Sequence, residues 1–135
     1  MDPLEGIAQA DAHLGRPVPL PSTPLPLARW VDVLAIGPEA VEVAWSLDDS
    51  REGAPGRLAL FAGTAPPPAR ELAGSTEPRE VAPGIAHRAA PLAEAQPSLR
   101  PVQELRWERG GLHLRLTAQG PWDLAELLRI ANGVG

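Results

Sequence analysis

The chain of 135 residues is long enough for one hydrophobic core and too short for two, and its 44% hydrophobic and 21% charged residues are typical of a folded domain. It contains no lysine, cysteine or tyrosine, which excludes Schiff-base lysines, disulfides, thiolate zinc sites and phenolic acids. The net charge of −5 argues against nucleic acid and anionic membrane surfaces as partners, because both attract clustered cations.

The chain carries no signal for entry into a membrane. Its N-terminal segment lacks a basic start, and no stretch approaches the roughly 18 apolar residues that are needed to span a bilayer. We therefore expect no membrane insertion by this chain itself. A chain without cysteine is compatible with both the cytoplasm and the extracytoplasmic space. We expect a complete chain to be cytoplasmic and a domain excised from a membrane protein to be extracytoplasmic.

The first element is predicted to be a short helix. Its start signals are a capping residue, a proline at the first helical position and an acid that completes a capping box: Asp2, Pro3 and Glu5. Gly15 supplies a stop. Asp11 interrupts the apolar stripe, so we expect a partly buried helix with Asp11 near Arg16.

Residues 16–26 form a proline-rich segment with the sequence RPVPLPSTPLP. Five prolines in eleven residues favour an extended, polyproline-like strap, and the alternating Val18, Leu20 and Leu25 would anchor it to the core. A docking motif for the aromatic grooves of signalling domains is the alternative.

Several short strands follow, each bounded by turn-forming residues. Residues 27–36 and 40–47 predict a hairpin around Gly37-Pro38-Glu39, and residues 57–62 predict a third strand. A further pair is expected at 77–81 and 85–90, around Pro83-Gly84.

The clearest local pattern is a hairpin over residues 102–118, where leucines and one tryptophan alternate with charged residues. With Arg109-Gly110 as the loop, Glu104 would face Arg115; with Gly110-Gly111 the register shifts. Residues 121–132 predict a C-terminal helix. Its apolar stripe consists of Leu124, Leu127, Leu128 and Ala131.

Together these elements predict a single α+β domain over residues 1–135. A short N-terminal helix, about six short antiparallel strands in a curved sheet, and a C-terminal helix packed on the sheet make up its architecture.

No pattern predicts catalysis, a metal site or a cofactor. His13, His87 and His113 lack the helical spacing of zinc hydrolases, and the acidic loop at residues 48–53 lacks the ligand spacing of a calcium loop. Glu104 and Glu108 share a strand face with Arg106 and lie near Arg115, which predicts surface ion pairs. We expect no catalytic residues.

The last third of the chain resembles a known family. The runs LRWERGGLHLRL and DLAELLRIANGV resemble the C-terminal signature of a bacterial family of unknown function. That family is found as the extracytoplasmic domain of anti-sigma-factor-like membrane proteins, and it has no catalytic residues to carry over. The membrane helix and sigma-binding segment that usually precede such a domain are absent from this sequence, so an excised fragment or a free-standing relative is expected.

The resemblance implies a non-catalytic sensor or interaction domain. The alternative is a binding module for an apolar small ligand such as an acyl chain, held between sheet and helix, which the four tryptophans suggest. An enzyme using Asp, Glu, His or Arg would require a concave site where two such side chains converge. The expected partners are therefore a protein or an apolar small ligand.

If the partner is a protein, the candidate contact residues are Trp122 and Arg129. In a helix from residue 121, Trp122 projects about 160° away from Leu124 and would share an outer face with Arg129. Exposed tryptophan and arginine are enriched at interface hot spots. The alternative is that Trp122 folds back and packs on the entering chain near Ala118.

Overall fold

The computed structural model describes residues 2–21, 30–46, 57–67, 79–90, 102–119 and 122–134. Within these ranges the chain forms eight strands and two helices. In chain order they are β1 (Asp2–Leu4), α1 (Ile7–Leu14), β2 (Trp30–Ala35), β3 (Ala40–Ser46), β4 (Arg57–Gly63), β5 (Arg79–Ala82), β6 (Ile85–Ala90), β7 (Val102–Arg109), β8 (Leu112–Gln119) and α2 (Leu124–Asn132).

All eight strands belong to one antiparallel sheet with the order β1-β2-β3-β4-β8-β7-β6-β5. The sheet consists of two four-stranded meanders, and their last strands, β4 and β8, pair at its centre. The α+β class, the curved antiparallel sheet and the flanking helices are confirmed. The prediction of about six strands undercounts them.

The N-terminus differs from the prediction. Asp2–Leu4 pairs with β2, and the helix begins only after Gly6. Pro3 suits this position because an edge strand does not require every backbone N–H to pair with a neighbouring strand. The predicted stop at Gly15 is confirmed by its left-handed conformation, with φ of 84°. Asp11 accepts a hydrogen bond from the Val18 backbone N–H at 2.8 Å, rather than pairing with Arg16.

The predicted hairpins are present. In the β7–β8 hairpin Arg109 pairs with Leu112, so Gly110-Gly111 is the two-residue loop. Both glycines have positive φ, 60° and 82°, as the tight primed turns of hairpins require. In this register Glu104 lies opposite Thr117 and not opposite Arg115.

One face of the sheet carries the hydrophobic core, and both helices pack on it. In β3, Val41, Val43 and Trp45 lie on this face and are joined by leucines of β4, β7 and β8. The buried helix residues are Ala10 and Leu14 of α1 and Leu127, Ile130 and Ala131 of α2. Among the described residues, no helix is long and apolar enough to cross a membrane.

Helix α2 starts at Leu124, three residues later than predicted. Its buried stripe includes Ile130, whereas Leu124 and Leu128 of the predicted stripe are only partly buried. Several other sequence predictions fall wholly or partly outside the described residues. They concern strap residues 22–26, strand residues 27–29, 47 and 77–78, the acidic loop at 48–53, and position 121.

The opposite face of the central strands is also buried, although neither described helix packs on it. Its side chains are largely charged, and we call it the charged face. Its members are Glu42, Phe61, Arg88, Glu104, Arg106, Arg115 and Thr117. Glu104 is only 1% exposed and Arg115 only 4%. This differs from the surface ion pairs that the alternating pattern predicts.

Candidate binding clefts at the hairpin end

The turn end of the β7–β8 hairpin extends beyond the neighbouring strands. Pairing of β6 with β7 reaches only Arg106, and pairing of β4 with β8 reaches only His113. Two clefts that are open to solvent lie beside this projecting end.

The first, the Arg106 cleft, has a volume of about 520 Å³. It is lined by Pro66, Pro67, Gly84, Arg106, Trp107, Glu108, His113 and Leu114. The second, the strap groove, has a volume of about 310 Å³. It is lined by Arg16, Pro17, Val18, Pro19, Arg109, Gly110, Leu112 and Leu114. Both volumes are in the range of small-ligand sites.

Glu104 orients Arg106 at the edge of its cleft. The Arg106 Nε donates to a carboxylate oxygen of Glu104 at 2.5 Å, and Arg88 donates to the same carboxylate at 3.2 and 3.4 Å. The Arg106 side chain is 36% exposed. Within the described part of the chain, its terminal nitrogens donate no further hydrogen bond. They are therefore available to an acceptor in the cleft.

Burial and hydrogen bonding shift the pKa of Glu104 in opposite directions. Burial by itself raises the pKa of this carboxyl group, but the hydrogen bonds from Arg106 and Arg88 outweigh it, and the pKa lies below its ordinary value of 4.5. Glu104 is thus ionised at neutral pH, and its negative charge fixes two guanidinium groups.

A second ion pair lies beside this cluster. Arg115 donates to Glu42 at 3.5 Å, and its guanidinium carbon lies 5.3 Å from the centre of the Phe61 ring. Arg115 is directly opposite Arg106 across the β7–β8 pair, a placement of like charges that nearby acids must compensate. Thr117 is buried on the same face, and its hydroxyl has no hydrogen-bond partner among the described residues.

Glu108 and His113 converge in the Arg106 cleft, with the histidine Nδ1 at 3.2 Å from a carboxylate oxygen. A histidine beside an acid is an arrangement that enzymes use for proton transfer. Here the Glu108 side chain is 73% exposed and the His113 side chain 27%, and none of the described lining residues of the cleft carries a hydroxyl or thiol. The pair thus lies at the hairpin surface, without a nucleophilic side chain among the described residues of the lining.

The two predicted contact residues do not share a surface. Trp122 is only 7% exposed and belongs to the core cluster, so it does not lie on the outer helix face that one of the two alternatives places it on. Its indole N–H donates to the Gln119 carbonyl at 3.1 Å, and its own carbonyl accepts from the Gln103 side chain at 2.7 Å. The alternative, in which Trp122 packs on the entering chain, describes this geometry. Arg129 is exposed on α2.

The three histidines have separate surroundings. His13 contacts the Gly37 carbonyl at 2.6 Å, His87 contacts the Gln103 amide oxygen at 3.1 Å, and His113 contacts Glu108. Among the residues that the structure describes, no group of three histidine or acidic side chains could hold a metal ion.

Arg106 and its support by Glu104 were not predicted as a site. The sequence does show a possible signal, since Glu104, Arg106 and Glu108 alternate on one face beside a projecting turn. Comparison of the chain with protein families, with curated proteins and with solved structures finds no match. The resemblance to the outer domain of anti-sigma-like proteins therefore stays a prediction.

Proposed function

We propose that this chain is a non-catalytic interaction domain that holds a segment of a partner protein in the Arg106 cleft. The observation that supports this most is the Arg106 guanidinium. It is anchored through Nε by the buried Glu104 and lines a cleft of about 520 Å³ with its terminal nitrogens unused by the described residues.

The lining suggests the chemistry of the partner segment. An arginine held through Nε keeps its two terminal nitrogens for a bidentate contact, and a carboxylate matches that geometry best. The cleft is also lined by apolar residues, among them Pro66, Pro67 and Leu114. A short segment with an acidic residue beside apolar residues fits both features.

The charged groups favour binding over proton transfer. Glu104 has a lowered pKa and is paired with two arginines, so it does not hold a proton to donate at neutral pH. Glu108 is exposed to solvent. In this proposal the domain is the interaction or sensor part of a regulatory protein, as the resemblance implies, and the Arg106 cleft is its contact.

A displayed library of random peptides tests this proposal. Selection on the immobilised full chain should enrich peptides that place Asp or Glu beside apolar residues. A synthetic peptide of the enriched sequence should bind Arg106→Gln about tenfold more weakly or worse than the unaltered chain, because a charge-assisted contact is lost.

Two matched variants provide the controls. Arg79→Gln and Arg129→Gln remove exposed arginines on β5 and α2, away from the cleft lining, and should leave the affinity unchanged. Enrichment of peptides without acidic residues would contradict the proposal. Loss of binding in Arg129→Gln but not in Arg106→Gln would show that the contact surface lies on α2, which also contradicts the proposal.

A further inference from the structure

The strap groove is built where three parts of the chain meet. The strap is tied to α1 by the hydrogen bond from the Val18 N–H to Asp11 at 2.8 Å, and to the hairpin loop by Arg16, which donates to the Gly110 carbonyl at 2.7 Å. A backbone bridge joins Pro21 to Val134, just beyond α2. These contacts give the groove defined walls.

Two arginines line the groove, and neither pairs with an acid of the described part of the chain. Arg16 donates to the Gly110 carbonyl, and Arg109 donates to the Val134 carbonyl at 2.6 Å. Both side chains are exposed, and within the described residues neither forms an ion pair. In a chain of net charge −5, two guanidinium groups with no acidic residue among the described lining residues are a local excess of positive charge.

The rest of the lining is mostly apolar. It consists of Pro17, Val18, Pro19, Gly110, Leu112 and Leu114. The groove therefore combines a cationic part with an apolar part. That combination complements an amphipathic anion.

We propose that the strap groove binds a medium-chain carboxylate, with its head group at Arg16 and Arg109 and its alkyl chain along Pro17, Val18 and Leu112. The groove volume of about 310 Å³ lies in the range of small-ligand sites, which suits a carboxylate with an alkyl chain of medium length. Among the described lining residues, this site shares only Leu114 with the Arg106 cleft, and it does not depend on a protein partner.

The position of the groove differs from the expectation for an apolar ligand. Such a ligand was expected between the sheet and a helix, but that space holds the core cluster, which includes Trp45, Trp107 and Trp122. The strap groove lies instead between the proline-rich strap and the hairpin. Its two arginines add a requirement for negative charge that a purely apolar site lacks.

Isothermal titration of the full chain with decanoate, below the concentration at which decanoate forms micelles, tests the proposal. We expect saturable binding to one site. Decanol and decyltrimethylammonium should bind at least about tenfold more weakly, because decanol has no negative charge to pair with the guanidinium groups and decyltrimethylammonium carries a positive charge that they repel. Acetate should show no saturable binding because it lacks the alkyl chain.

Arg16→Gln and Arg109→Gln should each weaken decanoate binding by about tenfold, while Arg129→Gln leaves it unchanged. Urea unfolding of each variant checks that it is folded. Amide chemical shifts of the unaltered chain give a second readout that needs no variant, and on adding decanoate they should move at residues 16–19 and 109–114.

Three results with decanoate and its analogues would overturn the proposal, and a fourth concerns a peptide. The first three are equal binding of decanoate and decyltrimethylammonium, decanoate affinity unchanged when both arginines are replaced, and shifts confined to other residues. A short leucine-rich peptide with a free C-terminal carboxylate is the comparison ligand. If it binds the groove and decanoate does not, the occupant is a peptide terminus and the proposal is wrong.

Discussion

Replacing Glu104 by glutamine removes the negative charge that joins two arginines on the charged face. Removing one partner of a fully buried ion pair costs about 3–5 kcal/mol, because the other charge is left buried. Here Arg106 and Arg88 keep 36% and 17% side-chain exposure, so water can solvate part of the freed charge. We therefore expect Glu104→Gln to lower the free energy of unfolding by about 2–4 kcal/mol at pH 7.

Urea unfolding followed by tryptophan fluorescence measures this loss as a lower midpoint. Glu108→Gln is the matched control, since Glu108 lies on the same strand face but its side chain is 73% exposed. Glu108→Gln should change the free energy of unfolding by no more than about 0.5 kcal/mol.

The loss of stability caused by Glu104→Gln should also depend on pH. The folded-state pKa of Glu104 lies below 4.5, so its ionised form stabilises the fold fully above that pH. The stabilisation disappears as the pH falls through the folded-state pKa, where protonated glutamate resembles glutamine. The stability difference between the unaltered chain and Glu104→Gln should be constant from pH 6 to 8 and shrink below about pH 4.5. A Glu104→Gln cost no larger than that of Glu108→Gln, or one that is independent of pH, would refute this reasoning.

Three further predictions concern the core, the charged face and metals. Leu127→Ala should cost about 2–5 kcal/mol in urea unfolding, because Leu127 is only 1% exposed, and a cost below about half a kcal/mol would place this side chain on the surface. Thr117→Val should raise the free energy of unfolding by about 1 kcal/mol, since it replaces a buried hydroxyl without a described partner by a group of the same shape; a lower stability would mean that the hydroxyl is bonded. EDTA should leave the melting temperature unchanged, and a fall that calcium or zinc reverses would reveal a metal site.

The strands could be predicted from the sequence because their signals are local. Alternating side chains and turn residues such as Gly110-Gly111 and Pro83-Gly84 lie within a few residues of the strands that they join. Strand β1 could not be predicted in this way, since the residues from Asp2 to Glu5 carry valid helix-start signals. The strand is stabilised by its pairing with β2, about thirty residues further along the chain.

The candidate site was less predictable because it also depends on contacts between distant parts of the chain. Alternation in β8 places Arg115 and Thr117 opposite the leucines, which indicates a solvent-exposed face, but burial of a second sheet face depends on contacts that no local pattern contains. For Trp122 the sequence is compatible with two alternatives, an outward direction in a helix from residue 121 and packing on the preceding chain. Because α2 begins at Leu124, the helical angle does not apply to Trp122.

Amide chemical-shift mapping of the isotope-labelled chain tests the interaction proposal most directly, with the acidic, apolar peptide that the selection enriches. We expect the largest changes at residues 106–108, at His113 and at Gly84, because these line the Arg106 cleft. The same titration of Arg106→Gln should abolish those changes at equal peptide concentration. Changes concentrated in α2, at residues 124–132, or changes that persist in Arg106→Gln would contradict the proposal that Arg106 is the centre of the contact.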